Sequence, residues 1–172
     1  GPLEQQRGSE AYHLSVREYG HLLIRIFHLW YADLLGGDYV SIRHLDNWLL
    51  LALGEAPEVC TMCGKCSIQF VVEGDGGVYP CDFYVYDEWR LGTLGERPLG
   101  ELAACETARR FLNASHPIPE QCRACRWGAL CRNGCRRDRV APADGGAPLN
   151  FYCDAIRAFF SARETEFMDA AR

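Results

Sequence analysis

Apolar residues recur at intervals of three and four along the first part of the chain, at Val16, Tyr19, Leu23, Phe27, Trp30 and Leu34. That period places them on one face of a helix, and Gly36-Gly37 supplies the stop. Residues 1–14 carry no such pattern and are expected to form a lead-in. After the glycines the pattern changes. Val40 and Ile42 alternate with polar neighbours in Tyr39–Arg43, as in a short strand, and Asp46–Leu53 returns to helix before Gly54. A lone strand leaves both its edges unpaired. The helix–strand–helix unit at 15–59 therefore suggests the last piece of an incomplete α/β barrel. The alternative is that its strand pairs with the hairpin that follows.

Two runs rich in Val, Ile, Phe and Tyr, Ser67–Glu73 and Val78–Val85, flank Gly74-Asp75-Gly76-Gly77, which predicts a β-hairpin with a glycine-bearing turn. Pro80 demotes its point in the second strand to an edge or a bend. Leu99–Leu112 predicts a helix with Leu102, Cys105 and Leu112 on one side, closed by Pro117 and Pro119. Residues 122–139 have no period, and Ala141–Pro148 is a Pro/Gly/Ala linker. Asn150 is placed to cap a last helix burying Ile156, Phe159, Phe160 and Phe167. The expected class is α+β: a small cysteine-rich domain at 60–165 with a β-hairpin and short helices, followed by a tail at 166–172.

Composition sharpens this in one respect. At 172 residues, with 48% hydrophobic and 24% charged positions, the chain is an ordinary globular length and mixture. No apolar run approaches the roughly 18 residues of a spanning helix. No basic segment followed by an apolar one opens the chain, so a cytoplasmic location is expected. Ten cysteines, however, exceed what packing requires. They fall in two groups: Cys60, Cys63 and Cys66 with Cys81 beyond, and Cys122, Cys125, Cys131 and Cys135 with Cys153 beyond. C-x-x-C spacing turns two thiols toward one centre and suits a metal or cluster better than a disulfide between the pair. Disulfides need an oxidising compartment, which nothing in the sequence announces. Zinc often recruits histidine, and only His116 lies in this half. All-thiolate iron–sulfur ligation fits best, and eight cysteines serve two four-iron clusters.

Charge points the same way. Between Cys122 and Arg139 six arginines (123, 126, 132, 136, 137 and 139) meet one acid, Asp138, inside a chain of net charge -5. Guanidinium groups stabilise an anionic cluster. Nucleic acid is not an expected partner, because the basic stretch is short and the whole is acidic.

Three motifs carry a family resemblance: Val78-Tyr79-Pro80-Cys81-Asp82-Phe83-Tyr84-Val85, Leu91-Gly92-Thr93-Leu94, and Cys122-x2-Cys125-x5-Cys131-x3-Cys135-Arg136-Arg137-Asp138-Arg139. With Val40–Asn47, which looks like the end of that family's barrel, they resemble the SPASM region of radical S-adenosylmethionine enzymes, and more narrowly that of anaerobic sulfatase-maturating enzymes. The resemblance spans roughly residues 15–165. It implies two auxiliary four-iron clusters with interleaved ligands, Cys60, Cys66, Cys81 and Cys135 for the first and Cys122, Cys125, Cys131 and Cys153 for the second. Cys105 is left as a packing thiol. Cys63 stays ambiguous, since it could replace Cys60 or Cys66. Asp82 is implied as the general base.

The resemblance further implies a course for the whole enzyme. A 5′-deoxyadenosyl radical takes hydrogen from Cβ of a Cys or Ser in a sulfatase, Asp82 takes the side-chain proton, an auxiliary cluster accepts the electron, and hydrolysis yields formylglycine. A flavodoxin or ferredoxin reductant is implied, and no membrane partner. S-adenosylmethionine and a third four-iron cluster belong to a half whose C-x3-C-x2-C motif is absent here; Asp138 stands where its third cysteine would follow Cys131 and Cys135. The chain alone is therefore expected to be inactive. Maturation of another peptide, a stand-alone two-cluster electron carrier and a structural zinc module remain as alternatives.

Overall fold

The computed structural model describes residues 13–143 and 145–172, so the expected lead-in lies, but for its last two positions, outside the described residues. Helix α1 (Val16–Gly36) starts where the period does. Ser15 accepts the Glu18 N–H, and the Glu18 carboxylate returns to the Ser15 N–H at 2.8 Å. This reciprocal cap satisfies two donors that the first turn leaves without partners. Gly37, at φ +90°, ends the helix in the left-handed region that glycine enters without cost.

The strand expected at Tyr39–Arg43 does not form. No other strand lies beside it among the described residues, and its polar side chains turn to the next helix instead. The Tyr39 and Ser41 hydroxyls donate to the Asp46 carboxylate at 2.8 and 2.6 Å, and the Val40 carbonyl accepts from Trp30 Nε1 at 2.8 Å. Helix α2 (Arg43–Ala52) accordingly begins three residues before the expected Asp46. The unit is helix–loop–helix, and the alternative pairing with the hairpin is also not taken.

The hairpin is present and short. Strand β1 (Val71–Val72) pairs antiparallel with β2 (Gly77–Tyr79), and β2 with an unforeseen β3 (Gly92–Thr93). Gly76, at φ +80°, carries the turn, and β2 stops at Tyr79, before Pro80. The single helix expected over Leu99–Leu112 is two, α3 (Leu99–Ala103) and α4 (Glu106–Asn113). The break falls at Cys105, whose sulfur accepts the Ala108 N–H at 3.4 Å and so caps α4.

Residues 120–131 form two single turns, α5 (Glu120–Arg123) and α6 (Gly128–Cys131), and a β-ribbon of β4 (Arg139–Val140) and β5 (Leu149–Asn150) leads to α7 (Cys153–Ala170). Asn150 is not the cap of α7. It lies in β5 and accepts the Tyr152 N–H at 2.8 Å, a turn just before the helix. Helix α7 runs through most of the segment expected as a tail, to Ala170, with Phe167 buried.

The main core joins the two ends of the chain. Leu23, Phe27 and Trp30 of α1 and Leu45, Trp48 and Leu51 of α2 meet Ile156, Phe159, Phe160 and Phe167 of α7. Trp48 stacks on Phe159 at 5.0 Å, and Trp127 on Phe160 at 5.2 Å. Helices α1 and α7 approach closely at Gly20, where a Cβ would meet the Ala155 Cα at 3.4 Å. Smaller clusters, Val78, Leu91, Leu102 and Ala108, and Tyr84, Trp89 and Phe111, pack under the hairpin and α4. Between these cores lie the cysteine loops. No helix is long and apolar enough to cross a membrane, among the described residues.

Candidate metal centres

The loop carrying Cys60 is anchored by a residue that periodicity does not single out. Asn47 of α2 is fully buried; its Oδ1 accepts the N–H groups of Glu58 (2.6 Å) and Val59 (3.1 Å), and its Nδ2 donates to the Arg43 carbonyl at 2.8 Å. Cys66 is held in the same manner from the turn that follows α4. Its N–H donates to the hydroxyl of buried Ser115 at 2.9 Å, and that hydroxyl donates to the Leu112 carbonyl. Cys81 follows the bend at Pro80, and Cys135 follows a tight turn at Arg132, Asn133 and Gly134, all at positive φ.

These four cysteines line one cavity of about 590 Å³ together with Asp82. The carboxylate of Asp82 is exposed; its Oδ1 accepts the Cys81 thiol at 3.2 Å and the Phe83 N–H at 3.1 Å. Cys122, Cys125, Cys131 and Cys153 line a second cavity of about 980 Å³, whose wall also includes His116. Cys63 borders both cavities, and its thiol donates to the Val59 carbonyl at 3.6 Å. Cys105 borders neither; it packs half-buried against Val78 and Leu102, as a packing thiol should.

The electrostatics divide the thiols along the same line. Burial is the main cause that raises Cys60 and Cys135, and Cys66 adds to both. Burial pushes Cys81 up to about 12, with Asp82 and Cys135 contributing. In the other set burial again dominates, raising Cys122 and Cys153 and taking Cys131 to about 11; Asp154 adds to Cys153, and smaller contributions come from Cys122, Cys125 and Cys153. Thiols held this way stay protonated unless a cation takes the place of the proton.

The donor set fits a cluster in each cavity. Among the described residues no three His, Cys, Asp or Glu side chains converge closely enough for a single ion. Four thiols spaced around a cavity suit a polynuclear centre better than one tetrahedral zinc, whose sulfurs sit about 2.3 Å from the metal.

An alkaline sensitivity follows. In the cluster-free chain the folded thiols keep protons that the unfolded chain starts to lose near pH 9, so the folded state binds more protons and stability falls as pH rises through the folded values. The urea midpoint of anaerobic, cluster-free protein should therefore drop between about pH 8 and about pH 10.5, and a Cys81→Ser variant should drop less. Equal midpoints at the two pH values would show that the thiols ionise as readily folded as unfolded.

The six arginines do not act as a group. Arg126 pairs with Glu164 and Arg123 with Glu120, while Arg132 bonds the Ala129 carbonyl. Arg136 lies over the rings of Tyr84 and Trp89, and Arg137 over Phe83. Arg132 also lies against Gly64, and Arg139 hydrogen-bonds into both cysteine loops, through contacts described below.

The SPASM model, an iron–sulfur cluster-binding domain, matches residues 60–126. A cysteine-type anaerobic sulfatase-maturating enzyme of Clostridium perfringens is 42% identical over 159 residues, which is 92% of this chain and 43% of the relative. A serine-type anaerobic sulfatase-maturating enzyme of Bacteroides thetaiotaomicron is 32% identical over 162 residues, 91% of this chain and 38% of the relative. The solved structure of native anSMEcpe with bound AdoMet and Cp18Cys peptide superposes with a TM-score of 0.91 at 40% identity, over 99% of this chain and 48% of that one. The chain thus spans less than half the length of the relatives it matches.

Proposed function

Because the chain carries a SPASM iron–sulfur domain and belongs with the anaerobic sulfatase-maturating enzymes, we propose that it is the auxiliary-cluster part of such a maturase, which converts a Cys or Ser of a sulfatase to formylglycine. Its first cluster is held by Cys60, Cys66, Cys81 and Cys135, and its second by Cys122, Cys125, Cys131 and Cys153. When bound, such clusters supply an acceptor for the electron left after hydrogen abstraction. The observation that carries this reading is the pair of cavities, each lined by four of these thiols, with Asp82 beside the first.

The chain's own residues then have separate tasks. Asn47 and Ser115 fix the loop that presents Cys60 and Cys66. Ligation would take the Cys81 thiol proton and with it the hydrogen bond to Asp82 Oδ1, leaving that carboxylate with the Phe83 N–H and the rest of its capacity open to a substrate. Asp82 is the base that takes the proton of the target thiol or hydroxyl, from a carboxylate within reach of solvent and of a peptide in the cavity mouth. Cys63 is not a ligand in this reading, and its bond to the Val59 carbonyl gives it a role in closing the first loop. The S-adenosylmethionine half, the sulfatase peptide and a flavodoxin- or ferredoxin-class reductant complete the system.

Anaerobic purification with iron, sulfide and zinc analysis tests the reading. Full ligation gives about eight irons and eight sulfides per chain. One or two zincs without sulfide would overturn it.

A further inference from the structure

Arg139 occupies the wall between the two cysteine-lined cavities. Its Nη1 donates to the Ser115 carbonyl at 2.7 Å, its Nε to the Asn133 carbonyl at 3.0 Å, and its Nη2 to the carbonyls of Gly134 (2.9 Å) and Gly64 (3.3 Å). Gly64 belongs to the loop between Cys63 and Cys66, and Asn133 and Gly134 lie between Cys131 and Cys135. Arg139 itself lines the first cavity, and its acceptors Gly64 and Asn133 line the second. One guanidinium thus joins the loops that carry both thiol sets.

Its charge has nothing of opposite sign among those partners. All four acceptors are neutral main-chain carbonyls, whereas Arg126, Arg123 and Arg90 each pair with a carboxylate. The cation is half-buried, where its field is screened less than at the surface. Arg139 itself lines the cavity of Cys60, Cys66, Cys81 and Cys135 and does not line that of Cys122, Cys125, Cys131 and Cys153, so its charge lies closer to the first set.

We propose that Arg139 is a positioning residue that sets the redox difference between the two clusters: its fixed positive charge favours the reduced form of both, and of the first cluster more. This rests on the two-cluster reading above. The fork geometry holds the cysteine loops in register, and the charge tunes the centres; the two roles are separable, because Lys keeps the charge but not the fork.

The test uses the anaerobically loaded chain, with redox titration followed by EPR for R139Q and R139K. In R139Q the reduced-to-oxidised ratio of the first-set centre at a fixed poise should fall about tenfold, about 59 mV for one electron, and that of the second-set centre by less. In R139K the gap between the two centres should stay close to the parent's while the thermal midpoint falls. If R139Q loads its clusters and leaves both centres unshifted, or shifts the second more, the inference is overturned. If R139Q does not load, R139K decides: a retained gap with a lowered midpoint supports the proposal, and an altered gap or an unchanged midpoint overturns it. A parent chain without iron and sulfide would instead overturn the cluster reading itself, and the role of Arg139 with it.

Discussion

An Asp82→Asn variant, placed in a chain that also carries the S-adenosylmethionine half, should keep its full iron content and lose peptide oxidation by about 10²–10⁴-fold, the usual contribution of a positioned general base. The substitution is close to isosteric. The side-chain oxygen can still accept the Phe83 N–H that now bonds Oδ1 at 3.1 Å, so the short turn Asp82–Tyr84 that follows Cys81 has no reason to move. What is lost is the ability to take a proton. Iron content measured beside turnover separates the two meanings of a dead variant: a chain that retains the parent's iron, about twelve atoms with the third cluster of the S-adenosylmethionine half counted, but does not oxidise peptide has lost a base. Turnover at the parent rate would place the base elsewhere, and loss of iron would make Asp82 a structural neighbour of Cys81.

The eight thiols that line the two cavities, and the carboxylate beside the first, are marked in the sequence by the family resemblance of the short motifs that hold them. Local turns bring Cys122, Cys125 and Cys131 of the C-x2-C-x5-C-x3-C run to one cavity while Cys135 faces the other, and α1 and the hairpin announce themselves by a local period or a glycine-rich turn. The strand expected at Tyr39–Arg43 shows where a local pattern misleads. Val40 and Ile42 alternate, but a strand exists only if another runs beside it, and here Tyr39 and Ser41 turn their hydroxyls to Asp46. The break at Cys105 was hidden for a related reason: the apolar spacing continues across it, while the thiol caps a new helix. Arg139 could be counted among six arginines but not distinguished from them. Its four acceptors lie 5, 6, 24 and 75 residues away, and no local window contains them. Asn47 leaves a fainter trace, a polar residue on the face of α2 that buries Leu45, Trp48 and Leu51.

Asn47 is also where the fold and the proposed site meet, and Asn47→Leu should be among the most damaging single changes outside the cysteines. Leucine fills similar space, so the effect isolates the hydrogen bonds. Removing Oδ1 strands the N–H groups of Glu58 and Val59, which it now accepts at 2.6 and 3.1 Å at a fully buried position. A buried donor left without a partner costs about 1–3 kcal/mol, and because Glu58 is exposed and Val59 half-buried the two together cost about that much. The Arg43 carbonyl loses Nδ2 but keeps its place in the helix ladder, so it adds little. Against a total stability of about 5–15 kcal/mol this is a large fraction. The loss falls on the segment immediately before Cys60, so it should reach the first cluster before the second. The expected result is a clearly lowered urea midpoint and a chain that retains closer to four irons than eight when loaded under conditions that fill the parent. An Asn47→Asp variant separates the two halves of the side chain: it can still accept both N–H groups but sets its second oxygen against the Arg43 carbonyl that Nδ2 now meets at 2.8 Å, so it should recover only part of the midpoint lost in Asn47→Leu. A leucine variant with the parent's midpoint and iron content would mean that water or a shift of the loop supplies what Oδ1 supplies now, and that the route from α2 to Cys60 does not hold the site.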